Sequence, residues 1–167
     1  MIGFTTHWNH YLDAIPAQDQ DLYFREEYVR LYETEAEQAC CFVYKNTDGI
    51  MLFPFLRRAF EYKGKRLYDF ETAYGYGGPV SSNHSEQFMS SALRAMTVKA
   101  IEEGYVCGFV RFHPLLENWK NCETVGKLIK DRKTIAIDLT EGIEAAWMNE
   151  IHTKNRNVIK KARKMAW

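Results

Sequence analysis

The chain has 167 residues, of which 46% are hydrophobic and 14% are aromatic. A composition this rich in apolar side chains excludes a disordered chain, and the length indicates a single domain with a real core. No apolar run approaches the roughly 18 residues that a membrane span needs. The N-terminal residues also lack the basic and apolar blocks of a secretory signal. The sequence therefore predicts a cytoplasmic protein.

The charge is balanced overall but uneven along the chain. Lysine and arginine total 22, as do aspartate and glutamate, yet residues 152–167 hold six basic residues and no acidic one, so residues 1–151 carry a net charge of −6. This asymmetry favours an anionic partner for the C-terminal segment. The solvated face of a helix is the more common explanation for a short basic run. The basic residues are Lys154, Arg156, Lys160, Lys161, Arg163 and Lys164.

The four cysteines predict packing positions rather than a disulfide framework or a metal site. Cys40, Cys41, Cys107 and Cys122 form no C-x-x-C pair and no metal-binding spacing. Adjacent residues on a strand point to opposite faces of a sheet, so Cys40 and Cys41 are expected to be reduced and to pack on its two sides. We therefore expect no bound metal.

The first half of the chain predicts a helix followed by three strands. The segment DLYFREEYVRLYETEAEQ (21–38) places Phe24, Tyr28, Leu31 and Tyr32 on one helical stripe. Three strand-like runs follow, joined by the turns NTDG and KGK. These short connections predict consecutive antiparallel pairs. The runs are ACCFVYK (39–45), GIMLFPFLRR (49–58) and RLYDFET (66–72).

The second half of the chain begins with the strongest helical pattern. Residues 85–104 have Ser85 as the predicted N-cap and Gly104 as the predicted stop. The strand YVCGFVRF (105–112) follows this crossover and is expected to run parallel to a neighbour. In TIAIDLT (134–140), apolar and polar residues alternate as in another strand. Thr140 is the predicted cap of a helix over residues 141–152. Residues 153–167 are predicted to form a basic amphipathic helix. The buried face of the first helix is expected to hold Phe88, Met89, Ala92, Leu93, Met96, Ala100 and Ile101.

The loop AYGYGGP (73–79) contains glycines but does not match the phosphate-binding patterns. A dinucleotide fingerprint fails because Val80 stands where its third glycine belongs, and no G-K-[ST] of a P-loop is present. An acetyl-coenzyme A loop of the GNAT type needs Gln or Arg where Thr72 stands, and Pro79 removes an amide donor.

Two interpretations of this loop stay open. The flexible glycine backbone beside Tyr74 and Tyr76 is compatible with the wall of a ligand site. A ligand can approach such a backbone closely, and the two tyrosine side chains can stack on it or hydrogen-bond to it. A wide loop whose tyrosines cover the edge of the core fits the residues equally well.

Polar residues at strand ends are further candidates. Arg111 and His113 lie two apart, so they share one strand face, where His could act as a base and Arg could bind a phosphate or carboxylate. Two partly exposed side chains before a proline turn are the simpler explanation. Asp69 and Glu71 also share a face, but no second catalytic element accompanies this pair of carboxylates.

Three motifs in this order resemble the FemAB-like branch of the GNAT acyltransferase superfamily: YDFETAYGYGGP, FVRFHPLLEN, and TIAIDLT leading to HTKNRNVIKKARK. The resemblance runs from about Trp8 to the end of the chain. It implies an α/β (α+β) fold with a GNAT-like, mixed, mostly antiparallel twisted sheet flanked by helices. It also implies two domain-sized halves, with residues 1–151 as the N-terminal GNAT-like domain and residues 152–167 as the helix that begins a second half.

The resemblance further implies an acceptor-binding role for this chain. Such a half acts on an amine or hydroxyl of a bacterial cell-wall or surface-glycan precursor and is expected to be inactive alone. It binds no cofactor itself, because acetyl-coenzyme A or another acyl donor belongs to the second half. Bridge-forming members carry Arg-Gly-Pro with an acid soon after it, whereas this chain has Gly77-Gly78-Pro79 followed by Val80. It is therefore closer to the group linked to polysaccharide modification.

The residues expected to contact an acceptor lie in the glycine loop, at the strand end and in the basic helix. No catalytic residue is assigned.

An alternative to the transferase is a non-catalytic assembly module that pairs through its C-terminal helix, either as a homodimer or with a second GNAT half. RNA binding is disfavoured because the remaining surface is acidic. The expected contact residues are Tyr74, Gly75, Tyr76, Gly77, Gly78, Arg111, His113, Lys154 and Arg156.

Overall fold

The structure is a computed structural model that describes residues 1–165. The chain divides into two compact units, the first being Met1–Ile129 and the second beginning at Lys130. The boundary predicted from the sequence lies between residues 151 and 152 instead. Six strands build one sheet in the first unit. They are β1 (Ile2–Thr5), β2 (Glu37–Lys45), β3 (Ile50–Tyr62), β4 (Lys65–Glu71), β5 (Val80–Ser81) and β6 (Tyr105–Phe109).

The sheet is mixed and mostly antiparallel, which confirms the predicted fold class. Its order is β1-β2-β3-β4-β6, with β5 paired to β3. All strand pairs are antiparallel except β4 with β6, which are parallel. The long crossover between these two strands accounts for the parallel pair, as predicted, because a parallel neighbour cannot be reached by a tight turn.

Helices lie on both faces of this sheet. The longest helix of the first unit is capped as predicted, since the Ser85 side chain accepts a hydrogen bond from the Phe88 amide and Gly104 follows with φ +86°. No helix within residues 1–165 is both long enough and apolar enough to cross a membrane. The helices of the first unit are α1 (Asn9–Leu12), α2 (Glu26–Arg30) and α3 (Glu86–Glu102). The second unit contains α4 (Ile143–Ala145), a π-helical turn over Ala146–Glu150, and α5 (Thr153–Met165).

Alternating side chains of the central strands build two separate cores. Cys41 and Val43 face the core that contains α1 and α2, while Cys40 and Phe42 face the core that contains α3. This confirms that the vicinal cysteines pack on opposite sides. Because both faces of β2 and of the first half of β3, up to Leu56, are covered, these stretches are apolar almost throughout rather than at every second residue.

The outer edge of β3 is shared by two strands, and this determines where the glycine loop lies. β5 pairs with Met51 and Leu52, and β4 pairs from Leu56 onward. Pro54 falls in the gap between them, where it removes no ladder hydrogen bond on that edge. Residues 72–79 connect the end of β4 to the start of β5 across this gap.

Two expectations for helices were wrong. The segment 21–38 is not one helix: a 3₁₀ turn over Leu22–Phe24 is followed by extended Arg25, then by α2, and β2 begins at Glu37. Glu26 explains the break, because its carboxylate accepts hydrogen bonds from the Trp8 and Asn9 amides and so fixes this turn against α1. Within α3, Ile101 is 69% exposed rather than buried, since it lies beyond the part of the helix that covers the sheet.

Two expectations for the second unit were also wrong. Residues 134–140 form no strand, and Ile135 is 91% exposed. A strand needs a hydrogen-bonding neighbour, and the described residues of this unit, 130–165, contain no other strand. Thr140 does not cap the next helix, because α4 begins at Ile143 with Gly142 at the N-cap.

Thiol reactivity tests this burial pattern. Burial raises the pKa of Cys40 and of Cys41, and it raises the pKa of Cys122 to about 12, whereas Cys107 is exposed. The thiolate is the reactive form, so near pH 8 we expect one fast-reacting thiol with Ellman's reagent in the native protein and four after denaturation.

The control is Cys107→Ser, which should abolish the fast phase. Two or more fast thiols in the native protein would contradict the burial of the other three cysteines.

Candidate functional site

A cleft of about 360 Å³ lies at the carboxyl ends of β4 and β6. These two are the parallel neighbours of the sheet, and such strand ends are where α/β proteins commonly bind ligands. All of its lining residues belong to the first unit. They are Tyr32, Thr34, Glu37, Leu56, Glu71, Thr72, Tyr74, Phe109 and Arg111.

Thr72 joins the two strand ends beneath the cleft. Its amide donates to the Phe109 carbonyl at 3.1 Å, and its hydroxyl accepts from the Arg111 amide at 3.1 Å. The Gly77 amide then donates to the Arg111 carbonyl at 2.8 Å. The glycine loop and the segment after β6 are therefore tied together residue by residue, and Arg111 is held where its side chain lines the cleft.

Asn118 fixes the far end of the same loop. Its side-chain amide donates to the carbonyls of Gly77 at 2.8 Å and Pro79 at 2.9 Å, and its oxygen accepts from the His113 amide at 2.8 Å. One side chain thus satisfies three backbone groups on two segments. Since unpaired buried polar groups are costly, the loop conformation depends on this residue.

The glycines of the loop make room for the protein's own side chains. Gly75 has φ +94°, and a Cβ added there would lie 2.5 Å from the Tyr23 ring. A Cβ on Gly77 would lie 2.7 Å from the Thr72 methyl group. At both positions the close approach comes from inside the fold, so packing alone accounts for these glycines.

The two tyrosines of the loop have different surroundings. Tyr74 is 72% exposed and lines the cleft opposite Tyr32, with 6.3 Å between ring centroids. Its carbonyl accepts a hydrogen bond from the Tyr28 hydroxyl at 2.8 Å. Desolvation and the hydrogen bond with Tyr32 raise the pKa of Tyr28, which keeps its hydroxyl protonated for this bond. Tyr76 instead packs against Tyr23, as part of the loop's own support.

His113 is a buried structural residue. It is 3% exposed, and its Nδ1 accepts from the backbone amides of Leu115 and Leu116 at 3.3 and 3.2 Å. Because amides only donate, the neutral ring carries its proton on Nε2, which faces Asp21 Oδ2 at 3.2 Å. Both ring nitrogens are engaged, so His113 orients the segment around Asn118 and does not line the cleft.

The cleft holds charges of both signs without internal pairing. Within residues 1–165, Arg111 forms no salt bridge, and neither does Glu37 or Glu71. Asp69, which the sequence pairs with Glu71, is instead bound by Arg58 through two hydrogen bonds of 3.1 and 2.7 Å. Glu71 is thus the carboxylate of that pair which remains free for a ligand.

A second cleft, of about 320 Å³, has its charges already paired. It lies along residues 79–81 and the 116–121 segment. On its rim His84 pairs with Asp19 at 3.0 Å, and Lys120 pairs with Glu117 at 2.5 Å. These exposed pairs are weak. The charged side chains of this cleft nevertheless have partners, whereas Arg111 and Glu71 have no ion-pair partner among the described residues, so the cleft beside Arg111 is the better candidate.

The two basic residues predicted for the site lie in the second unit. Arg156 donates to the carbonyls of Trp147 at 3.0 Å and Met148 at 2.5 Å, so it caps the turn that precedes α5. Lys154 is exposed in the first turn of α5. The structure therefore brings together Arg111 and Tyr74 with the loop glycines, while Lys154 and Arg156 belong to a separate unit.

Comparison with known proteins gives no family. No protein-family model matches the chain, and searches of curated proteins and of solved structures find no match either. Among residues 1–165, no cluster of three or more His, Cys, Asp or Glu side chains is placed to hold a metal ion.

Removing the Asn118 side chain tests the loop support. We expect Asn118→Ala to lower the free energy of unfolding by about 2 kcal/mol, because it leaves two carbonyls and one amide without their partner. Asn118→Asp should also destabilise, since a carboxylate cannot donate to Gly77 and Pro79. Urea denaturation measures both, and hydrogen exchange of the His113 amide should become faster.

The matched control is Asn155→Ala, on the exposed part of α5, which should change stability by less than about 0.5 kcal/mol. Equal stability of Asn118→Ala and the parent protein would show that the loop does not depend on this side chain.

Proposed function

We propose that this chain is the acceptor-binding half of an acyltransferase of the FemAB/GNAT type. It acts on an amine or hydroxyl group of a cell-wall or surface-glycan precursor. The observation that carries the proposal is the cleft at the ends of the two parallel strands. Arg111, Glu71 and Tyr74 all line it, and backbone hydrogen bonds connect the two segments that position them. The resemblance of the three sequence motifs supports the class of reaction. The four free cysteines support a cytoplasmic location, where such precursors are made.

The charges of the cleft suit an acceptor that carries both an anionic group and an amine. Arg111 can bind a carboxylate or phosphate through two parallel hydrogen bonds. Glu37 and Glu71 can accept hydrogen bonds from an ammonium or hydroxyl group, while Tyr32 and Tyr74 flank the aliphatic or sugar part. Attack of the acceptor on an acyl thioester or ester then needs positioning and proton removal, and no covalent enzyme intermediate.

We assign the acyl donor to a second GNAT-like half rather than to the glycine loop. Pro79 has no amide hydrogen, and the Gly77 amide already donates to the Arg111 carbonyl. A pyrophosphate needs several free backbone amides at a helix N-terminus. The next helix, α3, starts only after β5, at Glu86. The loop thus supports an acceptor wall better than a coenzyme A site.

The second candidate is a non-catalytic assembly module. It is favoured by α5, which has no buried residue within the described chain and leaves Val158 60% and Met165 74% exposed. These side chains belong to the apolar stripe of the helix, and such a stripe is typical of pairing with another chain.

Isothermal titration calorimetry tests the proposed acceptor site. The probe is a UDP-linked N-acetylmuramoyl pentapeptide containing lysine, because it carries an amine, a carboxylate and a diphosphate. We expect it to bind, and we expect Arg111→Ala to weaken binding about tenfold or more by removing a charge-assisted hydrogen bond. Arg94→Ala, at an exposed position of α3, is the matched control and should bind like the parent.

Three results would count against the proposal. Equal binding by Arg111→Ala would place the acceptor elsewhere, and micromolar binding of acetyl-coenzyme A would place the donor site in this chain. Absence of acceptor binding, together with a dimer in sedimentation, would favour the assembly module.

A further inference from the structure

The hairpin of β3 and β4 extends beyond the rest of the sheet. β2 pairs with β3 only as far as Arg58, and β6 pairs with β4 only from Tyr68 onward. Residues 59–67 therefore form a two-stranded ribbon, and among the described strands they pair only with each other. Its turn has φ +49° at Lys63 and +71° at Gly64, the left-handed pair typical of a tight two-residue hairpin turn.

One face of this ribbon carries apolar side chains at its tip. Phe60 and Tyr62 lie two residues apart, so they share a face, and they are 36% and 55% exposed. Leu67 is the cross-strand neighbour of Phe60 and is partly exposed. These exposed fractions show that, within the described residues, this apolar face is open to solvent at the tip of the ribbon.

The same tip is strongly basic within an acidic unit. Residues 57–66 contain five basic side chains and one acidic one, a net charge of +4. Residues 1–129 contain 13 basic and 17 acidic residues, so the rest of the unit carries −8. Of the five basic residues of the hairpin, Arg58 forms a salt bridge, with Asp69, and the other four form none within the described residues. Lys63, Lys65 and Arg66 are therefore available to an anionic partner.

The arrangement of cations and rings decides between two kinds of anionic partner. Lys63 Nζ lies 5.2 Å from the Tyr62 ring centroid, and the guanidinium groups of Arg57 and Arg66 lie 5.1 and 5.8 Å from the Tyr68 ring. Single-stranded nucleic acid needs open aromatic faces on which bases can stack. Tyr68 is paired with Ala59 and lies on the opposite face, so Tyr62 with Lys63 is the cation and ring that accompany the exposed Phe60 and the partly exposed Leu67. This combination fits the boundary between lipid headgroups and acyl chains better.

We propose that the tip of this hairpin binds the surface of an anionic phospholipid membrane. Lys63, Lys65 and Arg66 contact the headgroups, and Phe60 and Tyr62 enter the interface. Charge complementarity orients the protein, because the basic tip is attracted to anionic lipid and the acidic remainder of the unit is repelled. The proposal does not depend on the acyltransferase function.

Vesicle co-sedimentation tests this proposal. The probe is phosphatidylcholine vesicles with and without phosphatidylglycerol. We expect binding only to the anionic vesicles and loss of that binding at high salt. Lys63→Glu combined with Lys65→Glu should weaken it about tenfold or more, because each cation near an anionic bilayer contributes substantially. A tryptophan placed by Phe60→Trp should shift its fluorescence to the blue on binding.

The matched control is Lys160→Glu combined with Lys161→Glu on α5, which makes the same change in charge and should leave binding unchanged. Circular dichroism of each variant checks that the exposed substitutions leave the fold intact. Equal loss with the α5 control, or equal binding to neutral vesicles, would overturn the proposal. So would tighter binding to single-stranded RNA that the hairpin substitutions abolish.

Discussion

The candidate site depends on the three hydrogen bonds of the Asn118 side chain. They connect the carbonyls of the glycine loop to the amide of His113, and together with Thr72 they hold two segments that are about 40 positions apart in sequence. Without these hydrogen bonds, the loop after β4 and the segment after β6 would be two separate loops. With them, the two segments form one continuous wall of the cleft. Arg111 lies on this wall, where its amide donates to the Thr72 hydroxyl and its carbonyl accepts from the Gly77 amide.

The sheet explains why the wall stands beside a cleft. β4 and β6 run parallel, so both chains leave the sheet at the same end, and β5 occupies the edge of β3 just past the gap at Pro54. Glu71 and Phe109 are the last residues of the two parallel strands and line the cleft from the sheet side. The fold thereby brings a carboxylate, a guanidinium group and a tyrosine to one cleft.

Periodicity and turn chemistry predicted the elements whose packing is local. The three central strands, the helix from Glu86 and the opposite orientation of Cys40 and Cys41 follow from alternation, capping and short turns. The prediction of one helix over residues 21–38 was wrong because the Glu26 carboxylate accepts hydrogen bonds from backbone amides of an earlier turn. The segment 134–140 has a strand pattern but no pairing neighbour among the described residues of its unit.

The site was harder to predict than the fold, because its geometry comes from contacts distant in sequence. Arg111 and Tyr74 could be named from residue type and position, whereas Thr72, Glu37 and Asn118 carry no local signal for their roles. For His113, a histidine at a strand end suggests chemistry, whereas the structure shows hydrogen bonds from both of its ring nitrogens to the backbone and to Asp21. Residue type alone does not show whether a polar side chain is free.

The most direct test of the proposed acceptor cleft is nuclear magnetic resonance mapping on ¹⁵N-labelled protein titrated with the UDP-linked pentapeptide. We expect the largest amide shifts on Thr72, Tyr74 and Arg111, at the carboxyl ends of β4 and β6. Shifts confined to residues around His84 and Lys120 would place the ligand in the other cleft and contradict the proposed acceptor site.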